Sequence, residues 1–296
     1  MAEALIGVES AEMKVQLVDQ LTLPGSPARP NEDACGTAGA FAWVIDGATG
    51  LGDFECLGGP SDAAWLAATA SASLAARIAG GDTDLVGLLE GTIDDVSVRF
   101  ERALVREPEG RYQLPTATIL IARFDADGIE VAELGDCCLF ARADGGAVLT
   151  IGSDRAGRAA ERDAARRMIA HRATLETPEV RRLMREARSR YNTPDGPWVF
   201  GLDREAAAHA RLQRLDIEAP VRALLATDGF AALVEDYRLY DAPGLLAAAG
   251  EEGLAALADE LRMLEQVVDP DGLSFPRFKQ SDDATALLVR GEGGRA

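Results

Sequence analysis

Strand-length apolar runs and long helical patterns occupy separate blocks of this chain, and that grouping constrains its fold more than any other feature. Residues 116–151 hold four short runs in succession: "TATILIARF" (Thr116–Phe124), "IEVAELG" (Ile129–Gly135), "CLFAR" and "AVLTI". Asp127–Gly128 and Asp144–Gly145 supply turns of the kind that join antiparallel neighbours, so the stretch reads as a meander. "KVQLV" (Lys14–Val18) and "AFAWVI" (Ala40–Ile45) precede it, and "VRALLAT" (Val221–Thr227) and "ATALLVR" (Ala284–Arg290) follow. One helix is expected after Pro60 in "SDAAWLAATASASLAARIA", and a second from Thr83, a fitting N-cap, through "DLVGLLEGTIDDVSVRFERALV". "APGLLAAAGEEGLAALADELRMLEQVV" holds one or two more, broken near Gly250–Gly253. Strands grouped with strands and helices with helices predict an α+β fold, not alternating βαβ units. No internal repeat is visible.

The chain has 296 residues, enough for one large domain or two small ones. It is 47% hydrophobic but only 5% aromatic, so its core is built mostly from Ala, Leu, Val and Ile. A formal net charge of -19 argues against nonspecific contact with nucleic acid or an anionic membrane. The longest low-charge stretch, Ala63–Ala76, is too short to span a bilayer. "MAEALIGVESAEMKVQL" has no basic start followed by a long apolar run, so no secretory signal is read there. Cys35, Cys56, Cys137 and Cys138 show neither CxxC nor regular disulfide spacing, which suggests reduced thiols and a cytoplasmic protein. Adjacent Cys137 and Cys138 should point to opposite faces of a strand. With only His171 and His209 available, a Cys/His zinc site is disfavoured. A bound metal would need mainly carboxylate ligands, which select hard cations such as Mg²⁺ or Mn²⁺.

Ser153–Arg190 differs from the rest, with 11 arginines against 6 acids. Arg155, Arg158, Arg162 and Arg166 step by three and four and share one helical face. Thr177-Pro178 marks a second helix start, and "NTPDGPW" (Asn192–Trp198) a loop. The whole reads as one domain, 1–296, with an inserted helical subdomain at 153–205. Its arginines form either a solvated, salt-bridged face or a dock for an anionic partner.

Acids recur where apolar runs begin or end. "FAWVIDGATGLGD" brings a buried run to Asp46-Gly47, and "LLATDGF" brings a second to Asp228-Gly229. "RPNEDACG" sets Glu32 and Asp33 just ahead of the first of these; "ELGDCC" holds Asp136; "KQSDDATALLVR" places Asp282 and Asp283 before the last run. Any one of these could be a strand end capped by an Asx-type turn. If the ends converge, the repulsion between carboxylates would be severe, and two divalent cations would relieve it.

The order NED, DG at a strand end, TAT, LGD, TDG and DDAT resembles the metal-dependent type 2C protein phosphatases (the PPM family), with matching blocks from Arg29 to Val289. The resemblance implies a four-layer α-β-β-α sandwich with two mainly antiparallel sheets and a flap inserted beside the site. It implies that Asp46 bridges two Mg²⁺ or Mn²⁺ ions and that the Gly47 carbonyl coordinates one. Glu32 and Asp33 match the acidic pair, Asp33 being the better direct or water-mediated ligand. Asp228 and Asp282 complete the other ion, Asp136 matches a residue of a third, weaker ion, and Arg29 matches the arginine that holds substrate phosphate. Attack by a metal-bridging water on a phosphoserine or phosphothreonine of a protein substrate would follow, without a covalent enzyme intermediate. Cys35 lies near the acids, where a thiolate is disfavoured.

Four positions depart from the family pattern. Arg29 stands four residues before Asp33 where the family usually has five, Ala48 stands where some members have histidine, Cys138 where "GDSR" would put arginine, and Ala232 where many members carry a further aspartate. Asp283 is expected to support the Asp282 turn and not to act as a ligand. Two other functions fit the same fold: a weakly catalytic regulatory or scaffold domain that binds phosphorylated partners, and a hydrolase of a small phosphorylated metabolite.

Overall fold

The Phe41–Ile45 run is continuous because it is buried on both faces, whereas the Lys14–Val18 run lies mostly exposed in its strand. The computed structural model describes residues 13–292 except 153, 154 and 172, so the signal reading falls mostly outside the described residues. One antiparallel sheet comprises β1 (Lys14–Leu23), β6 (Cys138–Ala143), β7 (Leu149–Ile151), β9 (Val221–Ala226) and β10 (Ala284–Glu292), in the order β1-β10-β9-β6-β7. The other comprises β2 (Asp33–Ala38), β3 (Phe41–Gly47), β4 (Ala117–Asp125), β5 (Gly128–Leu134) and β8 (Arg211–Asp216), in the order β2-β3-β4-β5-β8. Along β3, Ala42 and Val44 enter the core between the sheets, while Phe41, Trp43 and Ile45 face the other way. On β10, Leu287 and Val289 point between the sheets, and Ala286 and Leu288 point outward. This period-two division fills three apolar layers from two sheets.

Helices cover both outer faces. α1 (Asp62–Ala79) and α2 (Leu85–Ala103) lie on the β3 side, with Leu66, Ala70 and Leu74 of α1 buried there. The Ser61 hydroxyl caps α1 by accepting from the Ala64 N–H at 3.1 Å. Asp84, not Thr83, caps α2, accepting from the Gly87 N–H at 2.6 Å, so the helix begins one residue later than the sequence suggests. α3 (Arg155–Ala170) and α4 (Pro178–Arg188) follow β7. α5 (Asp228–Glu235), α6 (Ala242–Glu251) and α7 (Leu254–Met263) cover the other sheet. The expected break between two helices falls at Glu252–Gly253.

The expected single meander is divided. β4–β5 is a hairpin of one sheet and β6–β7 a hairpin of the other, with the chain crossing at Gly135–Cys137. Apolar periodicity sets which face is buried but not which sheet a strand joins, so the crossing left no mark in the pattern. Cys137 enters the inter-sheet core and Cys138 the outer one, as opposite faces require. β2, β8 and α5 leave no clear mark in the sequence pattern. "DACGTA" is too small and mixed to signal a strand, "RLQRLD" is an edge strand exposed along most of its length, and α5 is a short helix starting where the β9 run stops. All four cysteines are free, and among the described residues no helix is long and apolar enough to cross a membrane.

Candidate active site

The antiparallel register brings the scattered acids to one end of the sandwich. Asp33, the first residue of β2, lies directly opposite Asp46 near the end of β3. β9 ends at Ala226, which pairs with Cys138 and with Ala286, so Asp136, Asp228 and Asp282 enter or leave the other sheet at a common edge. The carboxyls of Asp46 and Asp228, far apart in sequence, are close enough to share a hydrogen bond.

Burial, before any neighbouring charge, pushes the Asp46 carboxyl well above the usual aspartate range, and Asp228, Asp33 and Asp282 add to it. Asp33 is also raised well above that range, first by burial and then by Asp283 and Asp228, against a lowering hydrogen bond from Thr227. Asp228 is pushed up to about 6 by burial, Asp136 and Asp282. The Thr227 hydroxyl donates to Asp33 Oδ2 at 2.8 Å, whereas Asp33 Oδ1 is buried with no hydrogen-bond partner among the described residues. These are oxygen donors held in mutual repulsion, with one acceptor unsatisfied, and such a set suits a hard dication. Among the described residues, no three acidic, histidine or cysteine side chains converge on one ion-sized point.

Supporting contacts fix the backbone around these acids. Both Glu32 oxygens are engaged, accepting from Thr49 Oγ1 at 2.6 Å and Ser61 Oγ at 2.5 Å. The two Asp283 oxygens accept from the backbone N–H groups of Gly25 and Glu32, each at 2.7 Å, so this side chain ties the 25–32 loop to the start of β10. Gly47 and Gly229 are glycines because other backbone approaches them closely. A Cβ would lie 2.4 Å from the Glu32 carbonyl oxygen at the first and 2.0 Å from that of Asp283 at the second.

The cations are arranged differently from the sequence expectation. Arg29 is exposed and faces Glu176 of the inserted segment at 3.8 Å. Lys279 instead meets the acids: Nζ donates to Asp282 Oδ1 at 2.8 Å and to Thr49 Oγ1 at 3.2 Å. Burial alone would lower its pKa, but Asp282, Asp46 and Glu32 more than offset that and raise it. Arg158 is buried and pairs with Asp236 at 3.1 Å, as does half-buried Arg162 at 2.8 Å. Arg166 pairs with Asp163 at 2.9 Å, and the side chain of Arg155 lies outside the described residues. The α3 arginine face is therefore partly docked on the body of the protein. α4 does the same by another route: Arg181 and Arg185 donate to the Leu51 carbonyl at 3.3 and 2.8 Å, and Arg188 to the Thr49 carbonyl at 2.8 Å.

No thiol competes as a nucleophile. Burial first, then Asp33, pushes Cys35 up to about 12. Burial likewise lifts Cys56 to about 11 and Cys138 to about 12, and raises Cys137 well above its ordinary value. Sequence reasoning missed Lys279, Thr49, Ser61, Thr227 and the α4 arginines. The available signal was proximity in sequence: Lys279 stands three residues before Asp282, and Thr227 directly precedes Asp228.

Two antiparallel sheets between helical layers carry these aspartates at one end of an α-β-β-α sandwich. The sequence model of the protein phosphatase 2C family matches residues 27–266, and the chain belongs to that family of Ser/Thr protein phosphatases. No curated protein sequence matches it. Among solved structures it is similar to the serine/threonine phosphatase PstP/Ppp of Mycobacterium tuberculosis, with a TM-score of 0.52 at 16% identity over 95% of this chain and 99% of that one. A structure of the PstP catalytic domain in complex with two manganese ions gives a TM-score of 0.50 at 18% identity, covering 95% and 99%. The PPM Ser-Thr phosphatase MsPP of Mycobacterium smegmatis, in complex with cacodylate, gives 0.51 at 20% identity, covering 96% and 100%.

Proposed function

We propose that this chain hydrolyses phosphoserine and phosphothreonine in protein substrates, with Asp33, Asp46, the Gly47 carbonyl, Asp228 and Asp282 holding two Mg²⁺ or Mn²⁺ ions. The observation that carries the reading is the burial of Asp33, Asp46 and Asp228 at one end of the sandwich, each raised first by burial and then by neighbouring carboxylates, with one Asp33 oxygen unpartnered among the described residues. Two such ions would supply a water acidic enough to attack phosphorus and positive charge for the phosphoryl oxygens.

The protein's own residues do the positioning. Thr227 orients Asp33, Asp283 fixes the loop that carries Glu32, and Glu32 sets Thr49 and the start of α1 through Ser61. We keep Glu32 as an outer ligand acting through water, since hydroxyls occupy both of its oxygens. Asp136 is assigned to a weaker third ion beside Asp228. Arg29, turned toward Glu176, meets the substrate only at the rim. Residues 1–296 are read as one domain, with 153–205 as a flap, supported by the grip of α4 on the loop after Gly47. The free cysteines suit a cytoplasmic location.

The test is hydrolysis of a phosphothreonine peptide with Mn²⁺, with Mg²⁺ and with chelator. Activity should require metal and vanish in Asp46→Ala and Asp282→Ala; full activity in either folded variant would end the proposal. A panel of sugar phosphates run beside the peptide separates a protein phosphatase from a metabolite hydrolase.

A further inference from the structure

Lys279 has an unusual position for a lysine in a metal-dependent site. Its ammonium sits on Asp282 Oδ1, the very carboxylate the proposed ion needs, and it touches Thr49 on the loop that follows Asp46-Gly47. The backbone that presents it is held firmly. Arg277 donates to the Gln280 carbonyl at 2.8 Å, to Asp269 Oδ2 and the Phe275 carbonyl at 3.0 Å each, and to the Glu265 carbonyl at 3.0 Å. Arg262 donates to the Asp282 carbonyl at 2.8 Å. The side chain itself is only half-buried, and a lysine's four-carbon stem has the rotatable bonds to turn on such a fixed base. Lys279 also lines a cavity of about 400 Å³ together with Asp228 and Asp282. Arg29, the cation expected to hold phosphate, pairs with Glu176 at an exposed site.

We propose that Lys279 is the phosphate-binding cation of this site and that it exchanges partners: without metal its ammonium neutralises Asp282, and with metal it gives up that oxygen and turns to the phosphoryl group in the adjoining cavity. The inference rests on the reading of Asp282 as a metal ligand. A dication held by the Asp282 carboxylate and an ammonium on its Oδ1 compete for the same negative charge, so the lysine should weaken metal binding. Phosphate then regains for the ammonium the charge-assisted hydrogen bond it lost on Asp282. No proton is transferred and no covalent bond changes.

Lys279→Met and Lys279→Arg decide it, each with two readouts. Calorimetry with Mn²⁺ alone should show Lys279→Met binding metal more tightly than wild type, by about tenfold. Inhibition by inorganic phosphate should weaken by about tenfold in the same variant. KM for a phosphothreonine peptide should rise more than kcat falls. Lys279→Arg should restore phosphate inhibition, because it keeps the charge. Opposite shifts in metal and phosphate affinity support the exchange. Unchanged metal affinity, or unchanged phosphate inhibition, in folded Lys279→Met overturns it. If wild-type protein binds no Mn²⁺ at all, the metal-site reading itself has failed, and that outcome is separate from a wild type and variant that bind Mn²⁺ alike.

Discussion

Replacing Asp228 by Asn should make the metal-free protein more stable while destroying its activity. The Asp228 carboxyl is pushed up to about 6 by burial, Asp136 and Asp282, against an ordinary 3.8. A carboxyl raised in the folded state binds its proton more tightly there than in the unfolded chain. Ionising it therefore costs folding free energy, and that cost appears as pH rises from about 4 to about 6. Above that window the cost is at most about 3 kcal/mol, from the constant of 1.36 kcal/mol per pKa unit. Below about pH 4 both states are protonated and nothing is lost. Asp228→Asn should thus gain up to about 3 kcal/mol at pH 7 with chelator present, and little at pH 3.5. Urea unfolding at the two pH values measures both. Adding Mn²⁺ should reverse the ranking, because ligand binding stabilises only the protein that retains the site. Equal stability of the two proteins at pH 7 without metal, or an equal gain at both pH values, would refute the argument that charge repulsion strains this site.

Three further outcomes follow from the same structure. Leu225→Ala, which empties a fully buried position between the sheets, should lower stability by about 3 kcal/mol in denaturant unfolding. Arg188→Ala removes the donor to the Ala48 and Thr49 carbonyls, so hydrogen exchange should quicken across residues 48–53 while the strands keep their protection. The buried thiols, pushed up to about 11 at Cys56, to about 12 at Cys138 and well above the ordinary value at Cys137, should resist iodoacetamide at pH 8, and activity should survive the treatment; rapid loss by labelling of Cys137 or Cys138 would contradict their burial.

The sequence by itself determined the α+β class and the faces of most core strands. Uninterrupted apolar runs such as Phe41–Ile45 and Ala223–Ala226 need burial on both sides, whatever sheet they join. It also marked Asp46 and Asp228, because a carboxylate after such a run requires a reason, and Asp33 and Asp282 through the order of the NED and DDAT motifs around them. Tertiary structure alone decided which acids meet. Register sets Asp33 against Asp46, and the crossing at Gly135–Cys137 puts Asp136 on the edge of the opposite sheet. Nor could the pattern show that Arg29 turns to Glu176 while Lys279 reaches Thr49. Periodicity records whether a residue is buried, which is local; the partner of a long charged side chain depends on segments brought together from far along the chain. Where Lys279 reaches Thr49 the separation is 230 residues, and no one-dimensional pattern carries that information.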